Sequence, residues 1–317
     1  MRTLNAKPDL EAYVRLSSAS WREWLAAVRE LLHCPELGCR LQRPKALVGS
    51  LSALDVDAGR VCVLDLVQDM DLTHCRLSQT LLVSQLQGQG EVILQGGSRL
   101  STGPSAVISP GRTFTLRAGE GARLVLVYPR AKPLPALRHR ELDLALAEHI
   151  HRFLLRADYF QDHKNANATA SEFFGQLAQS LVTGRWEDTD ELPELDRRLA
   201  RAIEKIRCEP EWEFDLKALA QHSGASERNL YYLMKREAGM TPYRYYQRCR
   251  LIRVRRRLVD CQCDVPHISR YAADEGFSHL GRFAALYREH FGELPSETVQ
   301  WRRRLQAHPA VESLALS

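Results

Sequence analysis

The chain has 317 residues, 44% of them hydrophobic and 26% charged, which suits a folded protein of about two domains and excludes a disordered polymer. No run approaches the roughly 18 uninterrupted apolar residues of a membrane helix. The opening MRTLNAKPDLEAYVRL lacks an apolar run followed by a small-residue cleavage site, so no signal peptide, no membrane partner and a cytoplasmic location are expected. The net charge of +5 is unevenly placed: residues 195–304 hold 22 Lys and Arg against 15 Asp and Glu, leaving 22 against 24 elsewhere. Phosphate binding needs such a local surplus, because it gains free energy from released counterions.

Ser17 to Leu32 predicts an amphipathic helix. Ser20 and Glu23 have capping-box spacing, and Trp21, Trp24, Leu25, Val28, Leu31 and Leu32 recur at helical intervals. From Leu47 to Tyr128 the pattern changes to short β-prone runs: 48–56, 61–67, 80–86, 92–94, 106–109, 113–117 and 123–128. Glycine-containing turns separate them, among them Gly96-Gly97, read as a two-residue hairpin turn. Closely spaced short strands of this kind predict an antiparallel sandwich or barrel. After a proline-containing breaker at 132–138, helical periodicity returns over Glu141–Tyr159 and Ser171–Val182, and the polar stretch Thr183–Pro193 reads as a linker.

The eight cysteines are scattered and are expected to be reduced and mostly buried. His33-Cys34-x4-Cys39 lacks a second ligand pair, and Cys261-x-Cys263 is tighter than a zinc knuckle, so no metal or cofactor is expected. A redox role for the latter pair stays open.

The C-terminal third carries a duplicated motif. In the first copy, Asp215–Gly239, Leu216, Leu219, Ala220, Leu230, Leu233 and Met234 form an inward stripe, with a tight turn at His222–Ala225 and Ser226 placed to cap the next helix. Arg228, Asn229, Tyr231, Tyr232 and Lys235 then fall on other faces, where several can meet a major groove together. In the second copy, Val265–Gly292, Gly276-Phe277 makes the turn and Ser278 reads as the helix cap. Phe283, Leu286 and Phe291 point inward, leaving His279, Gly281, Arg282 and Arg288 for DNA. An arginine can bond guanine bidentately or bind phosphate. Between the copies, Thr241–Asp260 predicts a helix from Pro242 of about 18 residues, hence about 27 Å. That is near the roughly 34 Å repeat of B-DNA, so two reading helices could enter successive grooves on one face. Arg253, Arg255, Arg256 and Arg257 along it would add phosphate contacts, though each alone also reads as a solvated helix face.

The segment Leu195–Arg303 resembles the DNA-binding domain of the AraC/XylS family. The match lies in TPYRYYQRCRLIRVRRRL, Ile268, Ala272-Ala273 and GFSHLGRFAALYREHFGELPSE, and residues 279–296 are similar to the XylS branch. Tyr271, Asp274 and Leu294 depart from the usual pattern. The resemblance implies an α+β protein: a cupin-like β-barrel with flanking helices at 1–182 for effector binding and dimerisation, a linker at 183–194, an all-α double helix-turn-helix domain at 195–304 and a tail at 305–317. It implies a transcriptional activator whose partners are promoter DNA, RNA polymerase, a second copy of the chain and a small-molecule effector such as an aromatic carboxylate. A repressor or an effector-independent regulator is the alternative. A cupin enzyme is disfavoured, because His74 is the one histidine between Leu47 and Tyr128 and a metal needs several preset ligands. No Gly-x-Ser-x-Gly marks a hydrolase either.

Overall fold

The structure, a computed structural model, describes residues 10–17, 19–130, 140–184, 196–263 and 266–307. The proposed linker lies almost wholly outside these residues, as do the breaker segment and the tail from 308.

The first helix, α1 (Trp21–Leu32), forms where its pattern predicts. Ser20 accepts from the Glu23 amide while the Glu23 carboxylate accepts from the Ser20 amide at 2.9 Å, a complete capping box. Trp24 is fully buried and Trp21 packs at the edge of the same core, so the tryptophans serve packing.

The β region forms two antiparallel sheets. One contains β1 (Val14–Leu16), β3 (Gly49–Val56), β4 (Gly59–Leu66), β11 (Arg123–Pro129), β6 (Leu81–Gln87) and β9 (Ser105–Ile108), side by side in that order. The other runs β2 (Gly38–Leu41), β5 (Met70–Arg76), β10 (Thr113–Ala118), β7 (Gly90–Leu94), β8 (Arg99–Ser101). Alternate residues of both sheets, such as Leu64, Leu126, Leu72 and Leu116, meet α1 in one core. The opposite face of the first sheet is buried too. Val61 and Val63 pair with Val127 and Val125 and pack against α2 (Arg140–Ala157) and α3 (His163–Thr183) through Phe153, Phe173 and Phe174. That double burial is why β4 and β11 read as near-continuous apolar runs.

Four strands escape the sequence reading. β1, β2 and β8 are three or four residues long. In β5, polar Asp71, Thr73 and His74 mask the alternation, and His74 takes a positive φ of 56° where the register with β10 shifts. The loop at Gly96-Gly97 is wider than a two-residue turn: Leu94 N–H donates to Ser98 C=O at 2.8 Å, so residues 95–97 make the reversal. α3 starts eight residues before the predicted Ser171, since Asp162 caps it through the Asn165 amide at 2.7 Å and small Ala166 and Ala170 supply its buried face.

The helical third comprises α4 (Arg197–Cys208), α5 (Leu216–Ser223), α6 (Glu227–Glu237), α7 (Pro242–Val259), α8 (Ile268–Asp274), α9 (Leu280–Phe291) and α10 (Pro295–Ala307). Its first unit has its own core, built from α4, α5, α6 and the first half of α7 through Leu199, Ile203, Leu219, Leu230, Leu233 and Tyr245. The second unit does not. Leu251, Ile252 and Leu258 of α7, Phe283 and Tyr287 of α9 and Val299 of α10 join the core that covers the first sheet. Trp301 and Leu305 join the core inside the sandwich.

Polar groups tie the same seam. Arg255, 1% exposed in its side chain, bonds Glu293 at 2.7 Å, and Arg15 of β1 bonds the other oxygen of Glu293 at 2.8 Å. Tyr287 accepts from the Arg255 guanidinium at 3.2 Å, and Thr298 donates to the Glu293 carboxylate at 2.8 Å. Arg302 reaches Glu23 at 2.9 Å, and Trp301 Nε1 donates to Glu30 at 3.0 Å. Burial would raise the Glu293 carboxyl, but Arg255 and Arg15 overcome it and hold it at about 2. Burial, reinforced by Arg248, pushes His290 down to about 3, and its Nδ1–H donates to Gln161 C=O at 3.0 Å.

Both groups have folded values below their ordinary 4.5 and 6.5, so each stabilises the fold fully above that ordinary value and loses its contribution as pH falls through the folded one. Acid unfolding should therefore begin below pH 6.5 and steepen below 4.5. Glu293→Gln should lower stability at pH 7 by about 3 kcal/mol and flatten the steep limb. Denaturant titrations across this pH range check both. Unchanged stability of Glu293→Gln at pH 7 would contradict the account.

Candidate nucleic-acid interface

The two helix-turn-helix units are made by ordinary local rules. α5 ends at Gly224 in the left-handed region (φ 76°), and Ser226 then caps α6 by accepting the Asn229 amide at 3.2 Å. Leu230, Leu233 and Met234 turn inward. Arg228, Tyr231, Tyr232 and Lys235 are exposed, with Asn229 half-buried at the edge. Tyr231 and Tyr232 are 47% and 60% exposed, unusual for residues of this size, and the Arg236 guanidinium lies 5.6 Å over the Tyr232 ring.

The second unit repeats the plan with one change. Gly276 again takes a left-handed conformation (φ 72°), but three residues instead of two carry the chain from this glycine to the N-cap. The N-cap is His279, without a side-chain cap bond, and not Ser278. The cap expected at Ser278 assumed the spacing of the first unit, and the longer turn moves the helix start by one. Ser278, His279, Gly281, Arg282 and Arg288 are all exposed. The expected residues are thus brought to two exposed helix faces, one on each unit.

The arginine run on α7 is a correction. Arg253 pairs with Glu275 at 2.7 Å, Arg255 with Glu293, Arg256 with Glu11, and Arg257 with Asp274 at 2.7 Å while lying over the Tyr271 ring. Arg255 and Arg253 are thereby held in largely buried pairs and are not free for phosphate, whereas Arg256 and Arg257 stay 53% and 38% exposed beside their partners. The carboxylates come from α8, the α9–α10 junction and residue 11, distances that local sequence does not reveal. By contrast, Arg228 and Lys235 on α6 and Arg282 and Arg288 on α9 make no ion pair with any described residue. The exposed Lys217, Arg270 and Leu280 were missed by the sequence reading, and no periodicity singles them out.

α7 spans the predicted 18 residues from Pro242, capped by Thr241 through the Arg244 amide at 3.2 Å. At 1.5 Å per residue its length is about 27 Å. Elsewhere, all eight cysteines are free and five are buried; burial pushes the Cys39 and Cys62 thiols up to about 12, far from a reactive thiolate.

Comparison with known proteins follows this geometry. A helix-turn-helix domain family model matches residues 219–304. A XylDLEGF operon transcriptional activator of Pseudomonas putida is 39% identical over 160 residues, 48% of this chain and 47% of its own length. Over its matched C-terminal segment the chain is similar to activators of the AraC/XylS type. An HTH-type transcriptional activator RhaS of Escherichia fergusonii is 27% identical over 52% of this chain and 58% of its own. A solved structure titled a probable AraC family transcriptional regulator from Rhodopseudomonas palustris is 30% identical over 33% of this chain and 96% of its own, with a TM-score of 0.31. The chain spans about half the length of the curated relatives it matches. The AraC/XylS match covers both units and α7, and the α+β layout of antiparallel sheets followed by these helices accompanies it.

If the unpaired cations carry the phosphate contacts, Arg228→Ala and Arg288→Ala should each reduce the slope of log K against log salt by about 0.9. Arg253→Ala should leave that slope unchanged. Binding to one duplex measured at several salt concentrations decides, and a loss of slope in Arg253→Ala would reinstate α7 as a phosphate contact.

Proposed function

We propose that this chain is a sequence-specific DNA-binding regulator of the AraC/XylS type that activates transcription. The observation that carries the reading is the pair of exposed helix faces with cations unpaired among the described residues, α6 ahead of α7 and α9 packed alongside it. Each would enter a major groove, with Arg228, Tyr231, Tyr232 and Lys235 on one and His279, Arg282 and Arg288 on the other. Ser226, Asn229, Ser278 and Gly281 complete the proposed contact set. The relatives named as activators support the direction of control, and promoter DNA, RNA polymerase and a second copy of the chain are the proposed partners.

The proposed division places regulation and dimerisation in 1–182 as a cupin-like unit, and DNA binding in 195–304. The regulatory part would take a small molecule such as an aromatic carboxylate. A recess of about 940 Å³ on the five-stranded sheet, lined by Asp71, Gln85, Glu91, Arg99 and Arg117, lies within the size range of small-ligand sites. Arg117 there is held by Asp71 at 2.9 Å and Glu91 at 3.1 Å, so a carboxylate would compete for a guanidinium already in use.

Arg282→Ala and Tyr231→Ala should weaken binding to the protein's own site by about 1–3 kcal/mol and random duplex far less. Uniform loss across sequences would make them phosphate contacts. With a panel of aromatic acids the full chain should gain thermal stability in a saturable way, and a genomic footprint with and without the active acid should change. A panel that leaves the melting temperature fixed would favour the effector-independent reading.

A further inference from the structure

The two reading helices present different outward faces. In a helix, successive residues are turned by about 100°. The buried Phe283, Tyr287, His290 and Phe291 define the inward side of α9. On the outward side lie Gly281, Ala285 and Arg288 in one stripe, with Arg282 and Glu289 beside it, all exposed. On α6, Leu230, Leu233 and Met234 define the inward side, and the place opposite is taken by Arg228, Tyr232 and Lys235. At two of the three matching positions α9 has bare backbone and a methyl group where α6 has Arg228 and Tyr232, and the third holds a cation on both, Arg288 and Lys235.

Gly281 has no internal reason to be glycine. Its φ lies outside the left-handed region, and a Cβ built there meets no heavy atom within 4 Å. Gly276 differs on both counts: its φ is +72°, and an added Cβ would meet the Arg250 guanidinium. A glycine inside a helix weakens it relative to alanine. The one advantage left to Gly281 is external, because an absent side chain lets another surface approach the backbone closely. Arg282 and Arg288, unpaired among the described residues, favour an anionic surface there, and the nearby Glu289 carboxylate is engaged by Arg244 at 3.5 Å.

We infer that α9 docks closer to the duplex than α6 does, with its backbone at 281–285 against the DNA and Arg282 and Arg288 reaching out beside it. α6 instead reads at the length of its Arg228, Tyr232 and Lys235 side chains. The inference rests on the DNA-binding reading above and adds a difference in reach between the two units. It makes opposite demands on them: added bulk harms α9, and lost length harms α6.

The test uses the full chain and a genomic duplex that the wild-type protein protects from cleavage. Ala285→Leu, which adds bulk without touching a glycine, should lose at least tenfold in affinity for that duplex, with protection lost over one half of the site. Gly281→Ala should keep or raise the melting temperature while also weakening binding. Tyr232→Ala should lose protection over the other half. Affinities of Ala285→Leu and Gly281→Ala within twofold of wild type would overturn the inference and leave the DNA-binding reading standing. A wild-type protein that protects no duplex would instead remove that underlying reading.

Discussion

The arrangement of the second DNA-reading unit depends on a buried charge cluster. Arg255 sits in the middle of α7 with almost no contact with solvent, and an isolated guanidinium there would be strongly unfavourable. Glu293 neutralises it, Arg15 shares the carboxylate, and Tyr287 and Thr298 add hydrogen bonds, while the Arg255 Nε–H has no partner among the described residues. The Phe291 ring covers the Arg255 guanidinium at 4.7 Å. These groups come from β1, α7, α9, the α9–α10 junction and α10. Because a charge so buried tolerates few alternative geometries, the cluster fixes where α9 stands relative to the first sheet.

The first unit is held differently. Its core is closed by its own helices and the start of α7. Its polar links to the rest run through Arg207, which bonds Glu11 at 3.4 Å and Asp158 at 3.5 Å. Arg248 of α7 adds bonds to the carbonyls of Phe160 and Ala157 at the end of α2. The two units are therefore coupled unequally to the sheets. A change in α1, α3 or β1 reaches α9 through shared apolar core and buried charge, and reaches α6 chiefly along α7. Residues 10–16 touch both routes, since Glu11 meets Arg207 and Arg256 while Arg15 meets Glu293.

What was legible in the sequence was local. The capping box at Ser20, the cap at Ser226, the proline start of α7 and the apolar stripes of α5, α6 and α9 depend on residues within a turn or two of one another, and each is where its pattern places it. The strands buried on both faces were legible for the same reason. The edge strands were too short to show a period, and the polar face of β5 hid its alternation. The cap of α9 was misplaced because one extra residue in a turn leaves no mark on periodicity. The α7 arginines were misread because their carboxylates lie as far away in sequence as Glu11. A charge count gives the cationic surplus of 195–304 correctly and says nothing about which cations are free.

That distinction changes how the basic third works. α7 carries arginines at 244, 248, 250, 253, 255, 256 and 257, yet each is engaged by a carboxylate, a carbonyl or an aromatic ring. α7 acts as a brace that holds its neighbours through these arginines. The exposed cations with no ion pair among the described residues include Arg228 and Lys235 on α6, Arg282 and Arg288 on α9, Lys217 and Arg270. α9 lies alongside α7, with Glu289 beside Arg244 and Tyr287 beside Arg255. A uniformly basic α7 would bind any duplex more tightly and so narrow the gap between specific and non-specific sites. Internal pairing of Arg253 and Arg255 serves the fold.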